Sequence, residues 1–235
     1  MKKRCFIVFV LTLCLLVPNI LLSEEIKYAF TKGAIYSYKY EFQSTSKTLV
    51  PPVMPKLASS KEAVDFKIKS LGFKDGAFIL DIGTSSFTHR RYIASNGALR
   101  GAPSEDFGDI PFFLVFPDKD WRIGSSSKQN TEIVAFGQKV PIIWNLKLNS
   151  VDSMKNLADI SFDANFRIND DRLFSRKITF KGKMTFNIAE GVVHKAEWDS
   201  DYSAKQSCKE MAISRELWSF EKKASHSLIL TGVEK

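Results

Sequence analysis

The sequence predicts an all-β fold, built as a single curved antiparallel sheet or half-barrel with one or two short helices. Three observations support this prediction. Apolar and polar residues alternate with period two through most of the chain, turn residues separate the alternating runs, and segments with helical periodicity are few. Strands that are apolar on one side and charged on the other are typical of an antiparallel sheet with one solvated face.

The first 23 residues have the order of a secretory signal peptide. Residues 2–4 are all basic, residues 5–22 are mostly apolar, and Ser23 precedes two glutamates. Because this order is typical of a segment that is removed on export, we expect cleavage after Ser23. An uncleaved anchor stays open as an alternative, since an apolar run of 18 residues is near the lower limit for spanning a bilayer. Lipidation at Cys14 is a third alternative.

Residues 24–235 are expected to form one β-rich domain. Removal of residues 1–23 takes away three of the 34 basic residues and none of the 26 acidic ones, so the formal charge falls from +8 to +5. The remaining basic residues are spread along the chain, which does not favour nucleic-acid binding. Cys208 is then the single cysteine, so no internal disulfide is expected. With no Asn-x-Ser/Thr sequon present, we expect a bacterial protein in the periplasm or the extracellular space.

Three strands are predicted in the first half of the chain. The run from Tyr36 to Phe42 places its aromatic residues on one face and its polar residues on the other. Residues 63–71 repeat the pattern, with Val64 among the residues that should face the core. A turn at residues 74–76 contains a glycine that can adopt positive φ, and alternation resumes directly after it. The two runs beside this turn are therefore predicted to form a hairpin.

Four longer strands are predicted in the second half, at residues 140–148, 158–168, 177–188 and 192–204. Each alternates large apolar residues with charged or hydroxyl-bearing ones. In the last of them, His194 alternates with apolar residues, so its side chain is expected on the core side of the strand.

Helices and irregular segments are predicted at a few places only. The residues after Ser60 and the segment 208–218 are the helix candidates, and the second of these is equally compatible with a strand. Residues 47–62 contain three prolines and residues 93–110 are rich in glycine, serine and acids, so both are predicted to be long loops. Loops of this length are usually functional or mobile.

The stretch FPDKDWRIGSSS at residues 116–127 interrupts the alternating pattern. Trp121 and Ile123 share a face by their spacing, so we expect an aromatic plug seated on the core, with a sharp bend at Gly124. The alternative is that this stretch forms a wall of a ligand pocket.

No motif in the sequence predicts an enzyme. Ser125 and Lys128 match a Ser-x-x-Lys nucleophile pattern, but the Ser-Asp-Asn and Lys-Thr-Gly motifs that accompany it in penicillin-recognising enzymes are missing. The three histidines are far apart in sequence and lack metal-ligand spacing. The acidic residues of the 93–110 loop do not form a calcium-binding motif. We therefore predict no catalytic residue, no metal and no cofactor.

The sequence resembles exported bacterial proteins of unknown function that have a curved antiparallel sheet. At the level of the fold it also looks like the half-barrel of periplasmic lipoprotein carriers such as LolA and LolB. The features that carry the resemblance are the signal peptide, the long alternating strands, and two short motifs formed by Gly33, Tyr36 and Tyr38, and by Phe116, Pro117, Trp121 and Gly124. The resemblance implies binding of a lipid or acyl chain on the concave face. No functional residue is carried over from those carriers.

The predicted function is that of an exported envelope protein that binds an apolar ligand or a lipid acyl chain in a β half-barrel. The alternative is a structural or surface-interaction protein with a fully packed core and no ligand. A lipid or lipoprotein is the expected partner, nucleic acid is not, and membrane contact is expected only through an uncleaved signal segment. The ligand-lining candidates are Tyr38, Tyr40, Phe66, Trp121, Trp144, Phe162, Phe166, Phe180 and Phe186.

Overall fold

The fold is known from a computed structural model, which describes residues 23–51, 54–100, 113–118, 121–135, 138–169, 174–210 and 213–235. These residues form strands and turns and contain no helix, so the all-β prediction is confirmed. The strands are β1 (Ser23–Glu24), β2 (Ile35–Leu49), β3 (Lys56–Lys74), β4 (Ala77–Gly83), β5 (Thr88–Ile93), β6 (Leu99–Arg100), β7 (Trp121–Arg122), β8 (Ser126–Ala135), β9 (Gln138–Asp152), β10 (Leu157–Asn169), β11 (Phe174–Asn187), β12 (Val192–Glu210) and β13 (Ile213–Glu234).

Eleven of these strands form one open antiparallel sheet. Its order is β6-β5-β4-β3-β2-β13-β12-β11-β10-β9-β8, and β1 pairs with β7 in a separate two-stranded ribbon. Nearly all neighbours in the large sheet are also neighbours along the chain. The exception is β13, which pairs with β2 over the whole length of β2 and so joins the two halves of the sheet. One face of this sheet carries the core, and it is called the apolar face below.

The predicted short helices are wrong for the described residues. Residues 60–64 lie inside β3, and the segment that begins at Cys208 continues β12 and then enters β13. Glu210 pairs with Ile213, so this segment turns back on itself as a hairpin. Antiparallel pairing between β12 and β13 outweighs the weak helical preference of a segment that has no apolar stripe.

The predicted loop at residues 47–62 is also mostly strand. The β2–β3 hairpin extends through it, with Thr48 paired to Lys56, and only residues 50–55 lie between the two strands. The prolines are all in this short connection. The β3 residues before Phe66 are exposed on both faces, so Val64, which was expected in the core, is 37% exposed. Residues 101–110 of the second predicted loop lie outside the described residues.

A β-bulge in β12 overturns the prediction for His194. Phe186 pairs with Val193 and Thr185 pairs with Lys195, so His194 is an extra residue with no partner across the ladder. Val192 and Val193 are both buried and His194 is exposed. The bulge shifts the alternation by one residue, which a period-two pattern cannot reveal.

The sheet bends across its strands and is closed at one end. The backbone N–H of Tyr28 donates to Ser95 O, just after β5, at 2.7 Å, and the N–H of Ala29 donates to Gly191 O, just before β12, at 2.9 Å. Five strand spacings separate β5 from β12 in the sheet order, roughly 24 Å if the sheet were flat. Because adjacent residues contact both places, the sheet must curve to bring them together. We call this the closed end.

A single hydrophobic cluster occupies the apolar face. It contains buried residues from strands on both sides of β13, together with Ile26, Tyr28 and Phe30 of the segment before β2 and Leu114 and Phe116 of the segment before β7. The two segments cover the closed end. Tyr28 stacks on Phe116, with ring centroids 5.1 Å apart.

Candidate functional site

Four of the ligand-lining candidates lie together in the second half of the sheet. Trp144 stacks with Phe180 at a centroid distance of 5.8 Å and meets Phe162 edge-on at 6.0 Å. Phe166 stacks with Phe180 at 6.2 Å. These rings come from β9, β10 and β11, whose register places them in neighbouring rows on the apolar face. All four are buried, with exposed fractions of 2–6%.

Two further candidates pair across β2 and β3. Tyr38 and Phe66 occupy directly opposed positions, and their rings stack at 5.4 Å. The Tyr38 hydroxyl donates a hydrogen bond to the backbone carbonyl of Val193 at 2.9 Å, reaching past β13 to β12. Burial raises the pKa of the Tyr38 phenol far above its ordinary value, so this group remains a neutral donor.

Trp121 and Phe186 belong to the closed end and not to the group around Trp144. Phe186 meets Tyr28 and Phe116 edge-on at 5.3 and 5.1 Å, and the Trp121 ring lies 6.3 Å from that of Phe116. Trp121 is buried, as the aromatic-plug interpretation predicts, and it pairs with Glu24 of β1. Ile123, expected on the same face, is 44% exposed because the strand ends in a turn at this residue.

The last candidate, Tyr40, is part of a polar cluster inside the apolar face. Its hydroxyl is 2.6 Å from Nδ1 of His226, and Ser200 Oγ is 2.8 Å from Nε2 of the same imidazole. A neutral imidazole has one donor nitrogen and one acceptor nitrogen, so this chain of hydrogen bonds is satisfied in either direction. The Trp198 indole stacks on the imidazole at 4.9 Å. His226 is only 6% exposed, whereas Ser200 is half-buried and reaches toward solvent.

Sequence reasoning missed His226, Ser200 and Trp198 as members of a site. The signal was present for the histidine, since Ala224, His226 and Leu228 alternate with polar residues in β13. No pattern within one strand could show that three strands bring their polar side chains to the same place.

Within the part of the core that the structure describes, two indole N–H groups have no hydrogen-bond partner. They belong to Trp198, beside the Tyr40–His226–Ser200 cluster, and to Trp121 at the closed end. A buried N–H without an acceptor costs roughly 1–3 kcal/mol. Such groups are rare in folded proteins and call for an explanation, such as a bound water or ligand that supplies the acceptor.

The apolar face becomes more exposed toward the end of the sheet opposite the closed end. Tyr36 and Tyr38 of β2 are 2% and 3% exposed and Tyr40 is 7%, while Phe42 is half-buried. On β12 and β13 the rings of Tyr202, Phe220 and Trp218 are likewise half-buried at this end, although the small side chain of Ala204 among them is buried. We call this the open end.

A groove of about 920 Å³ lies on the other face of the sheet. Leu146, Phe162, Gly182, Trp198, His226 and Phe42 pair in one row across β9, β10, β11, β12, β13 and β2. The charged side chains of the groove lie one residue before or after this row, so they point away from the apolar face. The charged residues of the groove are Lys61, Lys147, Lys181, Lys183, Glu41, Asp163, Glu197 and Asp199. Four positive and four negative side chains balance, so the groove does not favour a polyanion.

The described part of the chain contains neither a metal-binding cluster nor a helix that could span a membrane. There, no group of three or more histidine, cysteine, aspartate or glutamate side chains is arranged to hold a metal ion. In the same residues no helix is long and apolar enough to cross a membrane.

Comparison with known proteins gives distant similarities only. No family model and no curated protein matches the chain. Among solved structures, one of lipovitellin, described as showing lipid–protein interactions, matches 88% of this chain at 11% identity with a TM-score of 0.40; the chain spans 26% of the lipovitellin chain. Ail, the attachment invasion locus protein of Yersinia pestis, matches 84% of this chain and 97% of its own at 7% identity with a TM-score of 0.15. Both TM-scores are below 0.5, so neither similarity supports an argument about function, and the resemblance to LolA and LolB stays a prediction.

Proposed function

We propose that this protein is a non-enzymatic lipid-binding protein of the bacterial cell envelope, exported to the periplasm or the extracellular space. Its ligand is an apolar molecule with a hydrogen-bond-accepting head group, such as a fatty acid or an acyl ester. The acyl chain lies along the apolar face of a half-barrel, next to Trp144, Phe162 and Phe180. The head group lies at the Tyr40–His226–Ser200 cluster.

The observation that carries this proposal is the unpaired indole N–H of Trp198. This donor is buried in an aromatic face, on an indole that stacks against the His226 imidazole, and the half-buried Ser200 hydroxyl is bonded to Nε2 of the same imidazole. A carboxylate or ester carbonyl would supply the acceptor that the protein lacks. An acyl chain attached to it would contact the neighbouring rings, and the open end gives a route for entry.

The same cluster does not favour hydrolysis. In a serine hydrolase the histidine that activates the serine is held by a buried carboxylate, which stabilises the imidazolium formed during the reaction. Here the Nδ1 partner of His226 is the neutral hydroxyl of Tyr40. Ser200 is therefore assigned to ligand binding and not to nucleophilic attack.

A structural protein with a fully packed core is the second candidate, and one observation favours it. All nine ligand-lining candidates are at most 7% exposed and belong to one cluster. In that case the apolar face holds no ligand, and curvature of the sheet alone keeps it from water.

A fluorescent fatty acid titrated against the purified protein separates the two candidates. Binding should be saturable in the parent protein. Trp198→Phe keeps the ring and removes the N–H, so it should weaken binding by about two- to tenfold, the value of one hydrogen bond. Trp121→Phe removes the second unpaired N–H at the closed end and is the matched control, with unchanged affinity expected. Mass spectrometry under native conditions should detect a co-purifying lipid. No saturable binding and no co-purifying lipid would establish the packed-core alternative.

A further inference from the structure

The β2–β3 hairpin exposes large apolar side chains at its tip. Val50 is 48% exposed, Met54 is 84% exposed and Leu57 is 79% exposed. These three residues define the apolar tip. The β3 residues before Phe66 are exposed on both faces, so the hairpin projects beyond the core and no described segment packs over it. Soluble proteins rarely group large apolar side chains on their surface unless the group contacts a partner.

The charge of the hairpin identifies the chemistry of that partner. Residues 44–61 contain three lysines, Lys47, Lys56 and Lys61, and no acidic residue. All three are exposed and lie on either side of the apolar tip. On the adjoining strand, Lys222 and Lys223 pair with the β2 residues just below the tip, and one acidic residue, Glu221, pairs with Lys47, so lysines outnumber acidic side chains here by five to one. Exposed apolar side chains flanked by lysines are complementary to a surface in which an apolar layer lies beneath negatively charged groups.

A group of aromatic rings lies next to the hairpin, on β12 and β13 at the open end. Trp218 and Phe220 of β13 stack with centroids 6.2 Å apart, and Tyr202 of β12 meets Phe220 edge-on at 5.7 Å. Phe220 pairs with Thr48, close to the point where β2 ends. The rings are half-buried. Tryptophan and tyrosine are enriched at membrane–water interfaces, where an apolar ring with a polar edge suits the head-group region.

We propose that the apolar tip docks on the surface of a lipid bilayer that contains anionic lipids. Val50, Met54 and Leu57 enter the boundary between head groups and acyl chains, while the lysines bind lipid phosphates. The ring group at the open end then lies near the interface. This contact is separate from the membrane contact expected of an uncleaved signal segment. It also does not depend on lipid binding by the apolar face, because it rests on the hairpin tip and on the side chains of β12 and β13 beside it.

A tryptophan placed at the tip tests this proposal locally, even if residues 1–22 also bind membranes. Met54→Trp is compared in the full chain with Met154→Trp, a control in the β9–β10 turn. Met154 is 94% exposed, and its turn lies at the closed end, where Asn156 accepts a hydrogen bond from Ile188. Fluorescence, corrected for the parent chain, is recorded with vesicles of phosphatidylglycerol and phosphatidylcholine whose acyl chains are brominated.

The expected result is a shift of the Met54→Trp emission to shorter wavelength and quenching of at least about twofold, as for a side chain held at the acyl boundary. Met154→Trp should show neither change. Adding Lys47→Glu and Lys56→Glu to Met54→Trp should weaken vesicle affinity by about tenfold or more, as expected for lysines near an anionic surface. An unchanged melting temperature shows that these exposed positions leave the fold intact.

Three results would overturn the proposal. Equal quenching at the two positions would mean that the hairpin has no special contact with lipid. Equal quenching on pure phosphatidylcholine vesicles would remove the role of the lysines. Emission that is already shifted in buffer without vesicles would show that another part of the chain covers the tip.

Discussion

The imidazole of His226 lies parallel to the indole of Trp198, with ring centroids 4.9 Å apart and an angle of 3° between the ring planes. The two residues are directly paired on β13 and β12, and Phe42 of β2 stacks on the other side of the imidazole at 6.1 Å. A hydrogen bond at each ring nitrogen fixes the imidazole within this row. Ser200 and Trp198 both contact this one imidazole, and the indole N–H of Trp198 is unpaired, which is the basis of the proposed head-group site.

The hydrogen bond between Tyr40 and His226 should be energetically coupled, and a double-mutant cycle measures the coupling. Tyr40→Phe and His226→Phe each leave a buried polar group without its partner, so each should lower the free energy of unfolding by roughly 1–3 kcal/mol. The double variant should lose less than the sum, by about 0.5–3 kcal/mol. Chemical denaturation of the four proteins gives these values. Additive losses would mean that the 2.6 Å contact contributes nothing to stability.

Much of the sheet could be predicted because the signal lies within single strands. Phe180 is buried and Lys181 is exposed, as period-two alternation requires, and the same holds along β9 and β10. Charged residues on one face and large apolar residues on the other leave a strand with one stable orientation. The strand order could not be predicted in this way. The pairing of β13 with β2 joins residues about 180 apart in sequence, and no local pattern records such a pairing.

The errors fall where long-range pairing outweighs local preference. Prolines at residues 51–55 suggested a long loop, yet they fit in the short connection of a hairpin whose strands pair up to Thr48 and Lys56. The bulge at His194 arises from register between two strands and leaves no mark in either one. For the candidate site, alternation could predict which aromatic side chains are buried, while their role in binding stays a prediction. The aromatic residues were found from alternation, but the Tyr40–His226–Ser200 cluster depends on three strands meeting.

The Asp81–Arg90 pair should make a small, pH-dependent contribution to stability. The Arg90 guanidinium donates two hydrogen bonds to the Asp81 carboxylate, at 2.8 and 3.1 Å, and these bonds hold the pKa of Asp81 below its usual value. A carboxyl group whose pKa is lowered on folding stabilises the protein above its unfolded pKa, and this contribution is lost as the pH falls through the folded pKa. Because Arg90 is exposed to solvent, screening keeps the contribution of this pair small.

Denaturation of the parent and of Asp81→Asn as a function of pH tests this expectation. The variant should be less stable near neutral pH, and the difference should vanish in acid, well below pH 4, where the unfolded aspartate is protonated. A difference that persists unchanged in acid would assign the effect to packing instead of charge.

Trp144 should be a major contributor to the stability of the second half of the sheet. It is 6% exposed and contacts the rings of Phe162 and Phe180, so Trp144→Ala should cost roughly 3–5 kcal/mol, the usual loss for a buried large aromatic residue. Lys147 lies on the same strand but faces the polar groove. Lys147→Ala should therefore change the free energy of unfolding by less than about 0.5 kcal/mol. Similar losses in the two variants would contradict the assignment of the two faces.

Gly182 should tolerate no side chain, and the chain provides a matched control for this prediction. A Cβ at Gly182 would lie 2.4 Å from Trp198 Cβ, 2.4 Å from the Glu197 carbonyl oxygen and 2.8 Å from Phe162 Cζ. Backbone and a ring packed in the core cannot move aside easily, so Gly182→Ala should destabilise the fold by about 1–3 kcal/mol despite the better strand propensity of alanine. It should also displace the Trp198 indole from His226, which near-ultraviolet circular dichroism would detect.

The control is Gly232→Ala in β13. No atom lies within 4 Å of a Cβ at Gly232, and its φ is outside the left-handed region, so alanine meets neither steric conflict nor backbone strain. This variant should be as stable as the parent or slightly more stable, because alanine reduces the conformational freedom of the unfolded chain. Equal effects at the two glycines would mean that the Phe162 ring does not fill the space over Gly182. Phe162 would then not hold the Trp198 indole against the His226 imidazole. The head-group site that depends on this packing would lose its structural basis.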